Sequence, residues 1–174
     1  MKEILKHIKS GEAFKELFPL IEGRVFHVTK DRNWLNIVVS GSLIPMPLTN
    51  RHVSSFRTRS YFREHSCVSL FDYRDVSNEK FKEHYGKCLP TLPLTEEDPI
   101  RILFLKPDYY NLLIPWNVWK TNGAGTNVVP YMEVGLEGVV PIEYFDEVMI
   151  VTITEDKNSL VYLLKSARNK YRHG

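Results

Sequence analysis

The spacing of apolar residues predicts a chain that mixes helices and strands. On both sides of Gly11, apolar residues between Ile4 and Ile21 recur at helical spacing, which predicts a helical segment over residues 1–22. Four later runs are rich in β-branched and aromatic residues and predict buried strands. These runs are RVFHV from Arg24, CVSLF from Cys67, IRILFLKP from Ile100 and VMIVTIT from Val148.

Helix signals follow the first strand and recur further along the chain. In TKDRNWLNIVVSGSL, Thr29 or Asp31 is suited to cap a helix, and Gly41 ends it. NEKFKEHYGKC predicts an exposed helix ending at Gly86, and NSLVYLLKSARNKY predicts an amphipathic helix within residues 156–174. Helices in the N-terminal third and strands in the C-terminal half predict an α+β fold rather than alternating βαβ units.

Several connecting segments are rich in glycine and proline. TNGAGTN is typical of a mobile surface hairpin, and equally of a loop beside an active site that presents Asn122, Thr126 or Asn127 to a substrate. No Lys-Ser or Lys-Thr pair follows these glycines, which argues against a phosphate-binding loop. After it, VVPYMEVGLEGVVP predicts a strand or ribbon, and EYFDEV predicts a short turn.

Composition narrows the functional classes. The 174 residues include 23 Lys and Arg against 21 Asp and Glu, for a net charge of +2, which excludes a globally cationic nucleic-acid wrapper. With 43% hydrophobic residues, the chain has the composition of one globular domain over residues 1–174. We find no run of about 18 apolar residues and no signal-peptide pattern, so we predict a cytoplasmic protein without a membrane partner.

Positive charge is concentrated in two segments. Between Arg51 and Arg63, four arginines alternate with aromatic residues. Guanidinium groups pair with phosphate oxygens and rings stack on bases, so this stretch fits a diphosphate, a dinucleotide or a single-stranded nucleic acid. A solvated surface explains the stretch equally well. The segment from Lys165 to Arg172 contains no acid and either extends the same positive surface or solvates a helix end.

Histidine and cysteine occur in two close pairs. His65 and Cys67 lie two positions apart, while His84 and Cys88 lie four apart. These residue types bind zinc, but the first pair lacks the usual spacing, and Cys67 begins an apolar run where a buried thiol is common. We therefore predict no metal site. Nothing in the sequence identifies a group that would lower the pKa of either cysteine, so neither is predicted to be a nucleophile.

Glu133 is an acid in an apolar strand setting. An unpaired carboxylate is costly there, so such a group is either paired or used. Strand alternation places Glu133 on the face of Tyr131 and Gly135, opposite Met132 and Val134. On position alone, an exposed glutamate on a strand face is the simpler interpretation.

Three ordered segments resemble a known family. FHVTKDRNWLNIVVSGSLIP, CVSLFDYRD and YMEVGLEGVVPIEYFDEVMIV resemble elements of the DNA-targeting ADP-ribosyltransferase toxins of the DarT kind and of related phage-defence proteins. The resemblance covers residues 23–155. It implies a split β-sheet core of the ADP-ribosyltransferase type, with N-terminal helices and a C-terminal helix. It also implies that NAD is the substrate and that a nucleic acid or a protein accepts the ADP-ribose.

The resemblance implies roles for individual residues. His27 and Thr29 match the pair that holds the nicotinamide ribose and amide of NAD, and Glu133 matches the catalytic glutamate. That carboxylate would stabilise the positive charge that develops on the ribose and would take a proton from the incoming nucleophile. Tyr61 or Phe62 would stack on the nicotinamide. Arg57, Arg59 and Arg63 match the family's catalytic or phosphate-binding arginine equally well. Of these, Arg59 is assigned as catalytic and Arg57 and Arg63 as NAD-binding, together with Val28 and Ser69.

Two other functions stay open. A non-catalytic module would bind nucleic acid or protein through the basic segments, with salt-dependent affinity that survives replacement of Glu133. A degenerate transferase scaffold in a toxin–antitoxin or phage-defence system would capture a specific protein without binding NAD.

Overall fold

A computed structural model describes residues 1–9, 12–45, 61–90, 98–124, 128–154 and Leu163, without the side chains of Arg63 and Glu64. The strands are β1 (Lys2–Lys9), β2 (Val25–Lys30), β3 (Ser42–Leu43), β4 (Cys67–Asp72), β5 (Ile100–Leu105), β6 (Glu133–Glu137), β7 (Val140–Pro141) and β8 (Phe145–Thr154). The α-helices are α1 (Ala13–Ile21), α2 (Trp34–Ser40), α3 (Tyr61–Glu64), α4 (Glu79–His84) and α5 (Trp116–Trp119). Helices and strands in this order make an α+β fold, as predicted.

Six strands form one mixed sheet in the order β1-β8-β5-β2-β4-β6. The pairing of β1 with β8 is parallel, and the other four pairings are antiparallel. The two short strands β3 and β7 pair separately. A two-residue bridge between Ile114 and Gly135 extends the sheet beyond β6.

The sheet splits between β2 and β4. These strands pair only at Val25 with Asp72 and at Phe26 with Phe71. Beyond that point β2 continues along β5 to Lys30, while β4 continues along β6. Paired strands lie about 4.8 Å apart, so the end of the ladder marks the place where the two halves of the sheet separate.

Each face of the sheet buries an apolar cluster, which fixes the strand register because a slip of one residue would exchange the faces. Helix α1 covers one face and α2 the other, with Leu17 of α1 and Ile37 of α2 each packed into the cluster below it. The centre of the first cluster is aromatic, and the rings of Phe26 and Tyr73 are 5.1 Å apart. Full burial of a phenylalanine side chain contributes about 1.5–3 kcal/mol.

The predicted helix over residues 1–22 is half wrong. Its second part is α1, but its first part is the edge strand β1, in which Ile4, Lys6 and Ile8 point inward and Leu5 is 60% exposed. A spacing of four residues between Ile4 and Ile8 satisfies a strand as well as a helix. β1 is a strand because it pairs with β8, and the local sequence pattern does not reveal this partner.

Most other element predictions are confirmed with adjusted ends, but the turn predicted for EYFDEV is wrong from Phe145 onward, where β8 begins because the segment pairs with β5. Helix α2 ends at Gly41, which has the left-handed φ of 66°, but neither Thr29 nor Asp31 caps it. Thr29 accepts a hydrogen bond from the Asn33 side chain, and Asp31 accepts one from Arg101. The segment predicted as a glycine-rich hairpin begins instead with a π-helical turn, Lys120–Ala124, and residues 125–127 lie outside the described residues. The helix predicted within 156–174 also lies outside them, apart from Leu163.

Candidate functional site

The side chain of His27 lies at the split. Its Nδ1 is 2.8 Å from the carbonyl oxygen of Ser69 on β4. A carbonyl oxygen only accepts hydrogen bonds, so Nδ1 donates the proton and Nε2 of the neutral ring keeps its lone pair. Burial lowers the pKa of His27, and the hydrogen bond to Ser69 opposes this only in part. The site therefore presents a neutral imidazole in a fixed tautomer.

The neighbours of His27 on β2 are held by other contacts. Val28 packs against the aromatic cluster on one face of the sheet. Thr29 accepts a hydrogen bond of 3.1 Å from Nδ2 of Asn33, so its hydroxyl proton is available for a further acceptor. The predicted His27 and Thr29 pair thus shares one strand and one face, because the two residues are separated by a single position.

Glu133 is the first residue of β6. Its Oε2 accepts a hydrogen bond of 2.7 Å from the backbone N–H of Val129, which closes the turn before the strand. Within β6, Val134 is buried in the cluster opposite the Glu133 face, as predicted. Met132, predicted to share the face of Val134, is instead buried in the other cluster, because it lies in the turn before the strand begins. Tyr131 lies before the strand, with a left-handed φ of 64°. The backbone therefore holds the carboxylate in one orientation.

His27 and Glu133 are on different faces of the sheet, and strand β4 lies between the strands that carry them. Phe71 pairs with both Phe26 and Glu133, and directly paired residues share a face. His27 follows Phe26, so alternation directs it to the other face. Its ring nevertheless reaches the strand gap, because it bonds to the backbone of β4 rather than to a side chain above the sheet.

Tyr61 and Phe62 are buried in an aromatic cluster. They are 5% and 2% exposed, and both rings pack edge-on against Trp119, at 5.7 and 5.4 Å between centroids. The Tyr61 hydroxyl donates a hydrogen bond of 3.0 Å to the carbonyl oxygen of Asn122. In this arrangement neither ring has an open face for a nicotinamide, so the predicted stacking requires the cluster to open.

The predicted arginines cannot be compared with this geometry. Arg57 and Arg59 lie outside the described residues, as do Thr126 and Asn127. The backbone of Arg63 belongs to α3, but its side chain is not described. Ser69, by contrast, is placed at the split, where its backbone carbonyl rather than its hydroxyl contacts His27.

A cavity of about 320 Å³ opens near the start of β6 and was not predicted. Its lining includes Asp72, Arg74, Asp75, Trp116 and Tyr131. Arg74 donates two hydrogen bonds to the Asp72 carboxylate, of 2.8 and 2.6 Å. The aromatic segment around Trp116 has no clear hydrophobic period. The sequence therefore does not show which of its side chains share a face, and the cavity could not be predicted.

The cysteines and histidines do not converge. Cys67 donates a hydrogen bond to the carbonyl oxygen of His65, and His84 bonds to the carbonyl oxygen of Lys80. Burial, with a smaller effect from Glu137, raises the pKa of the Cys67 thiol to about 11. Among the residues that the structure describes, no group of three or more His, Cys, Asp or Glu is arranged to hold a metal ion.

Two wider properties of the chain complete the description. Within the described ranges, no helix is both long and apolar enough to cross a membrane. No protein-family model, curated protein sequence or solved structure matches the chain.

Proposed function

We propose that this protein is an ADP-ribosyltransferase-like protein that binds NAD at the split between β2 and β4 and transfers ADP-ribose to a macromolecule. The observation that carries the proposal is the position of His27, a residue chosen from the sequence resemblance, at the point where the sheet separates. A gap between strands gives a ligand access to backbone groups that a continuous sheet would hold in its ladder.

Each residue has a defined task in this proposal. His27 offers the lone pair of Nε2 to a ribose hydroxyl, which is the hydrogen bond available to a neutral ring whose Nδ1 already donates to Ser69. Glu133 stabilises the charge that develops on the ribose as the bond to nicotinamide breaks. The Val129 N–H bond orients this carboxylate before the ligand arrives, so less reorganisation is needed in the reaction.

The test combines NAD titration by calorimetry with measurement of nicotinamide release. We expect NAD to bind, Glu133→Gln to retain binding and lose release by about 10²-fold or more, and His27→Ala to weaken binding. Glutamine keeps an oxygen that accepts from Val129, so the turn survives the change. Glu137→Gln is the matched control, because Glu137 is an exposed glutamate on the same strand. Absence of binding at millimolar NAD, or unchanged release by Glu133→Gln, would refute the proposal.

Non-catalytic binding is a second candidate, supported by the burial of Tyr61 and Phe62 against Trp119. If these rings never open, the split has no aromatic partner for nicotinamide from this cluster. The chain would then use its basic segments to bind nucleic acid or protein. Salt-dependent binding that is unchanged in Glu133→Gln, together with no heat of NAD binding, would support this alternative.

A further inference from the structure

The cavity near the start of β6 has two aromatic walls. The rings of Trp116 and Tyr131 are 4.4 Å apart and tilted by 42°. The left-handed φ of Tyr131, 64°, is rare for a bulky residue. Both rings line the cavity.

The charges of the side chains that line the cavity do not cancel. Arg74 and Asp72 neutralise each other through their two hydrogen bonds, and the guanidinium of Arg74 also lies 4.8 Å from the centroid of Tyr110. The carboxylate of Asp75 accepts hydrogen bonds only from neutral groups among its described contacts, the side chains of Ser77 and Asn78. The charge of Asp75 is therefore not cancelled by another lining residue.

Aromatic walls beside an uncancelled carboxylate favour a cation. The faces of tryptophan and tyrosine attract guanidinium and ammonium groups, while Nζ of Lys80 lies 5.9 Å from the Tyr131 centroid, at the outer limit of such a contact. An anion would meet Asp75 directly and would find the Arg74 guanidinium occupied by Asp72. The volume of about 320 Å³ accommodates the end of one long side chain.

We propose that this cavity binds the guanidinium or ammonium group of an arginine or lysine side chain presented by a partner protein. Trp116 and Tyr131 contact the cation through their rings, and Asp75 supplies the opposite charge. The cavity lies next to Glu133, since Tyr131 precedes that residue by two positions. The inference adds a partner to the proposed function, but binding of the cation does not require that NAD binds.

Nuclear magnetic resonance tests this proposal on the intact chain. The probes are Nα-acetyl-arginine methylamide, the lysine equivalent and the neutral isostere Nα-acetyl-citrulline methylamide. The indole N–H signal of Trp116 is assigned with Trp116→Phe, and the other two tryptophans serve as internal references. We expect the arginine or lysine probe to shift the Trp116 signal at millimolar concentration, and citrulline to bind at least about five-fold more weakly.

Variants separate charge from packing. Asp75→Asn is expected to weaken cation binding about five- to ten-fold, while Glu143→Gln, which removes an exposed acid elsewhere, leaves it unchanged. Both changes are at the surface, and the spectrum itself reports whether the fold is intact. Equal binding of citrulline, unchanged binding by Asp75→Asn, or a stronger shift of Trp116 by inorganic phosphate or AMP would overturn the proposal. Calorimetry with NAD on the same samples shows separately whether the proposed function fails.

Discussion

Two aromatic rings lie so close to β6 that the addition of one methyl group, in Gly135→Ala, should destabilise the fold. A Cβ atom added at Gly135 would lie 2.7 Å from Cζ2 of Trp119 and 3.0 Å from Cε1 of Phe62. Carbon atoms in contact are normally 3.5–4.0 Å apart. Gly135→Ala therefore forces at least one ring, and the segment that carries it, away from the strand.

The cost of this substitution follows from burial. Phe62 is 2% exposed and Trp119 is 5% exposed, so neither ring has solvent into which it swings without losing its packing. Overpacking of this kind costs about 1–3 kcal/mol, partly offset by the ~0.5–1 kcal/mol that alanine gains over glycine in a strand. We expect a net loss of about 1–2 kcal/mol, or about 2–4 °C in melting temperature per kcal/mol.

Urea denaturation monitored by circular dichroism measures this loss. Gly86→Ala is the matched control, because a Cβ there meets nothing within 4 Å, and its effect should stay within about 0.5 kcal/mol. In a Trp119→Phe background, which removes the Cζ2 atom, Gly135→Ala should cost about 1 kcal/mol less. A Gly135→Ala variant as stable as the control would show that Phe62 does not rest on β6, and would return Phe62 to its predicted role as a stacking ring.

Three further predictions concern buried polar groups. Because the pKa of folded His27 lies below its usual 6.5, the folded state binds fewer protons, so stability is full above about pH 6.5 and falls below it. His27→Gln should flatten urea-measured stability over this range, and an unchanged slope would contradict the assignment. The hydroxyl of Tyr73 is buried without a hydrogen-bond partner among the described residues. Tyr73→Phe should therefore leave the free energy of unfolding, measured in urea, unchanged or raise it by up to about 1 kcal/mol, and a clear loss would reveal a partner. With its pKa raised to about 11, buried Cys67 should react with iodoacetamide more slowly than Cys88 at pH 7.5, and mass spectrometry would expose the opposite order.

Elements whose local pattern agrees with their packing could be predicted from the sequence. Gly41 ends α2 because its left-handed φ is cheap only for glycine, and β5 is buried nearly throughout, as its continuous apolar run predicts. Strand β1 could not be predicted, because its partner β8 lies more than 140 residues away in the chain. Apolar spacing reports a buried face, whereas the choice between strand and helix depends on the neighbour.

For the same reason, the candidate site could be predicted only in part from the sequence. The resemblance selected His27 and Glu133, and the structure holds both in defined hydrogen bonds. It also selected Tyr61 and Phe62 as stacking rings, but an aromatic residue next to arginines has the same sequence signature whether it packs on a ligand or on another ring. Trp119, which covers both, is more than 50 positions further along the chain.

One ligand can contact both His27 and Glu133 only if the sheet is open between its two faces. In a continuous sheet, side chains on opposite faces are separated by the backbone layer and cannot contact one ligand. The ladder between β2 and β4 ends after Phe26 and Phe71, and strand β4 separates that point from Glu133 on β6. A single ligand that contacts both side chains must therefore pass through the opening and extend across β4 on the far face.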